Sequence, residues 1–97
     1  MSSATNTEFR PGQRPIARAR SLLATAVNHS VDGNPVHVAQ RLDQAGLLLE
    51  GQVDTEIWYR VRGAKLLSCG GRTDEARSEI REMMSLLDAE LEASDNE

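Results

Sequence analysis

Aromatic side chains are nearly missing from this chain. Phe9, Trp58 and Tyr59 are all of them, 3% of 97 residues, so any core must be built from Leu, Val, Ile, Ala and Met. Cysteine occurs once, at Cys69. An intrachain disulfide is therefore excluded, and with it the disulfide-stapled scaffold of small secreted domains. A lone cysteine near the end of a helix is expected to serve as a small buried hydrophobe. Only two histidines are present, His29 and His37, on either side of Asp32. A metal centre needs three or four convergent ligands, and neither Cys-x-x-Cys, His-x-x-x-His nor Glu-x-x-His spacing occurs. Both histidines read as ordinary loop or surface residues. No apolar run approaches the roughly 18 residues of a membrane span. The opening MSSATNTEFRPGQRP lacks the apolar stretch of a signal peptide, so a cytoplasmic protein without a membrane partner is expected. The Asn28-His29-Ser30 glycosylation triplet then has no secretory route to act through.

Phosphate-cradling chemistry is absent too. Gly70-Gly71-Arg72-Thr73 precedes a helix, but Asp74 and Glu75 in the first turn would repel an anion. The glycines read as a turn. Carboxylates are abundant in the last third of the chain, yet their spacing places them on a solvated helix face rather than in an acid–base pair. With no nucleophile–base constellation, the chain is expected to be non-enzymatic, with no cofactor and no small-molecule substrate.

The residues that are present describe helices. Residues 1–13 are polar and rich in Ser, Thr, Asn, Gly and Pro, the composition of a disordered arm. From Pro15, a favoured first helical residue, Ile16, Ala19, Leu23, Ala26 and Val27 recur at helical spacing, which predicts a first helix over Pro15–Asn28. Asp32-Gly33 marks a turn, and Asn34-Pro35 reads as N-cap and first residue of a second helix bearing Val38, Leu42 and Ala45 on one face. Gly46 is expected to close it as a left-handed C-cap. Leu47–Leu49 would then form a short extended piece or a linker pressed onto the core. Asp54 predicts the N-cap of a third helix, with Val53 and Trp58 placed as a hydrophobic staple. Ile57, Val61, Ala64 and Leu67 or Ser68 form its stripe, and Gly63 lies at mid-helix. Gly70-Gly71 ends it. Thr73 opens a fourth helix as N-cap, whose apolar residues Ala76, Ile80, Met83, Leu87 and Leu91 step by four, three, four and four. The expected fold is all-α: one small four-helix domain over 14–92, made of two helical hairpins, with a disordered acidic tail at 93–97.

Residues 57–87 resemble a tetratricopeptide-repeat hairpin. Trp58 followed by Val61 is similar to the repeat's Trp-x-x-Leu start. Gly63 with Leu66-Leu67 is similar to its glycine and apolar middle, and Gly71-Arg72-Thr73-Asp74-Glu75-Ala76 to its inter-helix turn and opening small residue. The glycine stands one position late relative to the tryptophan, and the closing proline is missing. The resemblance implies a protein- or peptide-binding surface without catalysis, and no functional residue transfers from it.

Charge is unevenly spread. Net charge is −4, but residues 1–31 carry Arg10, Arg14, Arg18 and Arg20 against Glu8 alone, while residues 73–97 carry nine acids against Arg77 and Arg81. Such polarity can steer a charged partner or favour head-to-tail association; the plainer reading is a solvated basic arm and a solvated acidic tail.

Two functional readings follow. In the first, the chain is an interaction or adaptor module whose partner is another protein or a second copy of itself, as a homodimer. Ile80, Met83, Met84, Leu87 and Leu91 would form the interface, since a stripe of five turns is expected to exceed what one small core can cover. In the second, it is a small DNA-binding regulator in which Arg14, Arg18, Arg60, Arg62 and Lys65 meet phosphates or bases. Against the second stand the net negative charge and the long Gly46–Asp54 connection where a helix-turn-helix has three or four residues. The deciding feature is whether the basic residues of the third helix share an exposed face with Arg18 or pair with the acids of the fourth. The small size and tailed ends suit a bacterial accessory protein.

Overall fold

The computed structural model describes residues 13–95. Four helices account for nearly all of them: α1 (Gln13–Val31), α2 (Pro35–Leu49), α3 (Thr55–Cys69) and α4 (Thr73–Asp95). There is no strand among the described residues. The arm expected at 1–13 lies outside the described residues up to residue 12, and residue 13 already opens α1. Of the acidic tail expected at 93–97, residues 93–95 instead complete the last turn of α4, and residues 96–97 lie outside the described part.

The first three helices each stop where a glycine can take the left-handed backbone. Gly33, Gly51 and Gly71 have φ of +72°, +78° and +83°. At the first and last of these the chain closes on the preceding turn through Asn34 N–H to the His29 carbonyl (3.0 Å) and Arg72 N–H to the Leu67 carbonyl (2.8 Å), the double-backed ending common after helices. This closure carries α1 three residues past the expected Asn28. In α2 the expected stop at Gly46 is wrong. Gly46 is buried inside the helix, Leu47–Leu49 continue it, and Gly51 supplies the left-handed residue instead. Leu49 is the reason: it extends the stripe Val38, Leu42, Ala45 by one more four-residue step and is fully buried. At the start of α4, Thr73 is the first helical residue rather than the cap; the Arg72 carbonyl accepts the Ala76 N–H at 3.0 Å. Asn34 and Asp54 do stand at the N-cap positions of α2 and α3, though neither side chain bonds the helix end.

Loops of three to five residues make successive helices antiparallel, and the packing closes them into a ring. α1 packs on α2, α2 on α3, α3 on α4, and α4 back on α1, so α1 and α3 occupy one diagonal and α2 and α4 the other. The pair α3–α4, which carries the tetratricopeptide resemblance, forms two sides of this ring, with Ala76 fully buried where the helices meet.

The core is aliphatic throughout. Ile16, Leu23, Val38, Leu42, Leu49, Ile57, Val61, Ile80, Met83 and Leu87 are buried, with Ala19, Ala26, Ala45, Ala64 and Ala76 letting the backbones approach. Large side chains fill the end where α1 begins. At the opposite end the interior narrows to Ala26, Ser30, Ser68 and Ala76, and the two serines are pinned. Ser68 Oγ donates to the Pro35 carbonyl at 3.0 Å, tying α3 to the start of α2. Ser30 Oγ donates to the Val27 carbonyl and accepts from Arg77 Nε at 2.7 Å, while Arg77 Nη2 donates to the Ser30 carbonyl at 3.1 Å. Arg77 thereby places a cation at the C-terminus of α1, where the helix dipole favours it.

Candidate functional site

The α4 stripe belongs to the domain's own interior. Ile80, Met83 and Leu87 are fully buried, and Met84 and Leu91 are half-buried against the same cluster. These residues therefore do not form the exposed interface expected of them. The argument from stripe length failed because α4 has two neighbours in the ring, α1 and α3, and both cover it.

The basic residues are dispersed. Arg14 and Arg18 are exposed and four residues apart on the side of α1 opposite Ile16, Ala19 and Leu23, so they point away from the bundle. Arg60 turns toward α4 and bonds both Glu79 (3.1 Å) and Glu82. Hydrogen bonds to Glu82 and then Glu79 raise its pKa still further above the ordinary guanidinium value. Lys65 turns toward α2 and meets Asp43 at 2.8 Å. Arg62 lies over the indole of Trp58, 5.1 Å from the ring centroid, a cation–π contact. The five residues expected to act together on nucleic acid thus share no face: α1 and α3 stand across a diagonal, and two of the five cations already have carboxylate partners. The chain's charge polarity is also partly closed on itself. Arg20 of α1 makes a forked pair with Asp88 of α4, at 2.9 and 3.3 Å.

The histidines meet across the α1–α2 turn. Their rings stack with centroids 5.1 Å apart and planes inclined by 27°, and Nε2 of His29 is buried without a hydrogen-bond partner. Among the described residues no group of three or more His, Cys, Asp or Glu is placed to hold a metal ion. Cys69 is exposed rather than buried, because the α3 stripe that faces the core ends on Ser68.

Exposed apolar surface collects elsewhere. Val36 (63% exposed) and Leu47 (75%) on α2, and Tyr59 (63%) and Leu66 (71%) on α3, account for four of the six large hydrophobic side chains left in solvent. On α2, Val36, Asp43 and Glu50 repeat every seven residues, with Leu47 four beyond Asp43. On α3, Tyr59, Arg62 and Leu66 step by three and four. Each set is one helix face. Between α2 and α3 runs a groove that Val36 and Leu47 border on α2 and Trp58 and Arg62 on α3, with Tyr59 and Leu66 on the outward side of α3 beside it. Toward the Gly51 loop it opens into a hollow of 270 Å³ lined by Gly46, Leu47, Glu50, Trp58 and Arg62 among others. Toward the opposite end a second hollow of 320 Å³ lies among Pro35, Val36, Ala39, Gln40 and Cys69. The Asp43–Lys65 pair separates them.

Gly46 shapes the first hollow. A Cβ there would come within 3.7 Å of Val61 Cγ1 and 4.0 Å of Trp58 Nε1, so its absence leaves the floor of the groove open beside the indole. The acids Asp43 and Glu50 line the α2 rim; Arg62 and Lys65 line the α3 rim. Sequence reasoning missed this groove because its residues fall on the outward sides of two helices, where isolated apolar residues look incidental. The usable signal was their repeat within each helix. Among the described residues no helix is long and apolar enough to cross a membrane.

No protein-family model, curated protein or solved structure matches the chain.

Proposed function

We propose that this chain is a non-enzymatic interaction module that binds another protein chain along the α2–α3 groove. One observation carries the reading: exposed Leu47 and Val36 line two shallow hollows between α2 and α3, and two more large apolar side chains, Tyr59 and Leu66, stand exposed on the outer side of α3. Trp58, Tyr59 and Arg62 are the residue types that most often anchor protein interfaces, and here they are adjacent, with Trp58 and Tyr59 edge to face. The rims supply charges of both signs that can fix register without dominating affinity. The tetratricopeptide-like hairpin is in keeping with a binding role, although the groove uses the outer side of α3 rather than the α4 stripe.

The test is differential capture. Wild type, a groove variant carrying Leu47→Glu and Leu66→Glu, and a far-face control carrying Leu86→Glu are compared at equal loading. A protein retained by wild type and by the control, and lost by the groove variant, is expected. If all three folded proteins retain the same set, the groove is not the binding face.

A further inference from the structure

The groove's two rims are complementary to each other, and this selects its occupant. We infer that the α2–α3 face pairs with the same face of a second copy of this chain, about a two-fold axis running along the groove. The inference rests on the groove being an interaction face and adds what binds there. Among the outward side chains of α2 are Val36, Leu47 and the acids Asp43 and Glu50; among those of α3 are Tyr59, Leu66 and Arg62, beside the half-buried Lys65 that pairs with Asp43. Rotation about an axis along the groove lays α2 of one copy over α3 of the other, so that each acidic rim meets a basic one. Rotation about an axis across the groove would lay α2 on α2, acid against acid. A closed two-fold contact must be self-complementary, and of these two arrangements only the first is.

The heights agree as well. Within one copy Asp43 is level with Lys65, and Gly46 with Val61. Arg62 is therefore level with the turn of α2 that holds Asp43 and Leu47. In the pair, Asp43 of each copy lies level with Lys65 and within one helical turn of Arg62 of the other, Leu47 faces the turn holding Tyr59, and Leu66 faces the first half of α2. The stacked helices run antiparallel, as their dipoles prefer. Arg62 suits this role because, among the described residues, its guanidinium lies over the indole of Trp58 and is in none of the ion pairs.

The experiment is a charge exchange read by light scattering and analytical ultracentrifugation. Wild type should shift from the 10.7 kDa of one chain toward twice that mass as concentration rises. Asp43→Arg and Arg62→Asp should each weaken association at least about tenfold, since each sets like charges against one another. Mixing these two variants should restore a dimer containing one copy of each, because every facing pair is again opposite in sign. Circular dichroism checks the fold of each variant. Leu47→Glu, altering a side chain already in solvent, gives a second route to the monomer should Asp43→Arg unfold beside Lys65. A wild type that stays monomeric up to about 1 mM, where even millimolar association would register, overturns the inference but leaves the groove open to a different protein in the capture assay. Folded single-charge variants that remain dimeric, or that fail to recover when mixed, overturn the arrangement of α2 over α3.

Discussion

Truncating Met83 and Leu47 to alanine separates interior from surface on a single scale. Met83 is completely buried among Ile80, Leu87 and the apolar faces of the neighbouring helices, whereas Leu47 is three-quarters exposed. Removing a buried methionine side chain loses its transfer energy and leaves a cavity, together about 2–5 kcal/mol. A domain of this length has only about 5–12 kcal/mol of total stability. Met83→Ala should therefore remove about a sixth of it or more, and a loss of about 3 kcal/mol would lower Tm by roughly 12–24 °C. Leu47→Ala should change monomer stability by no more than about 0.5 kcal/mol. Urea unfolding followed at 222 nm measures both, repeated over a range of protein concentration. The Met83 effect should not depend on concentration. Any Leu47 effect should grow with it if the proposed pair forms, because in that pair the side chain contributes where two chains meet. If Met83→Ala costs less than about 1 kcal/mol, or its effect rises with concentration, then α4 is covered between chains and the interior described above is wrong.

Other perturbations act on separate features. Gly63→Ala should stabilise α3 by up to about 1 kcal/mol, since the glycine is mid-helix with open space around it, whereas Gly51→Ala should destabilise by about 1–2 kcal/mol through its left-handed backbone alone; thermal melts of the two variants should move in opposite directions. Arg77→Ala should cost about 1–2 kcal/mol by removing a charged donor from Ser30 at the end of α1. Arg77→Lys should recover only part of that, because an ammonium cannot reproduce the fork, and urea midpoints rank the three proteins. The Glu75 carboxyl is held below its ordinary pKa by hydrogen bonding to Arg72. Its contribution is present above the unfolded-state pKa and lost as pH falls through the lower folded value, so Glu75→Gln should lower Tm slightly at neutral pH, meet wild type at low pH and so flatten the acid side of a Tm-against-pH profile. A labelled DNA duplex titrated at low salt should show no steeply salt-dependent binding, because Arg60 and Lys65 are engaged by carboxylates and Arg14 and Arg18 point elsewhere; anisotropy that rises and then collapses with added salt would refute this dispersal.

The four helices were legible because aliphatic residues recur at helical spacing and because Asn34-Pro35, Asp54 and Gly70-Gly71 punctuate them. The end of α2 was misread by trusting a glycine over the stripe: Leu49 continues Val38, Leu42 and Ala45, and burying it outweighs the roughly 1 kcal/mol penalty of a glycine inside a helix. The stripe of α4 was legible as a pattern, but periodicity says only that a face is buried and not against what. That depended on α4 returning to α1, a pairing between opposite ends of the chain that no local signal encodes. Cys69 misled because its small apolar character suggested burial, whereas the stripe Ile57, Val61, Ala64 runs on to Ser68 and turns the next side chain outward. The groove was legible only as spacing within each helix; its existence needed the relative placement of α2 and α3, and the opposite charge of its rims acquires meaning only once they are parallel.

The ring has a topological consequence. Since α4 packs on α1 and successive helices alternate in direction, the start of α1 and the end of α4 lie at the same end of the bundle, one helix diameter apart. Four adjacent packing contacts are served by three loops, so the fourth side is joined by side chains alone, among them the Arg20–Asp88 fork. Connectivity is then almost cyclic: a short linker across that side would complete the circuit, and the chain could be opened at the Gly33, Gly51 or Gly71 turn with every helix keeping both neighbours. The side without a loop is also where folding must close the longest span of chain, so α1 and α4 have most to lose in entropy by meeting and are the pair expected to meet last.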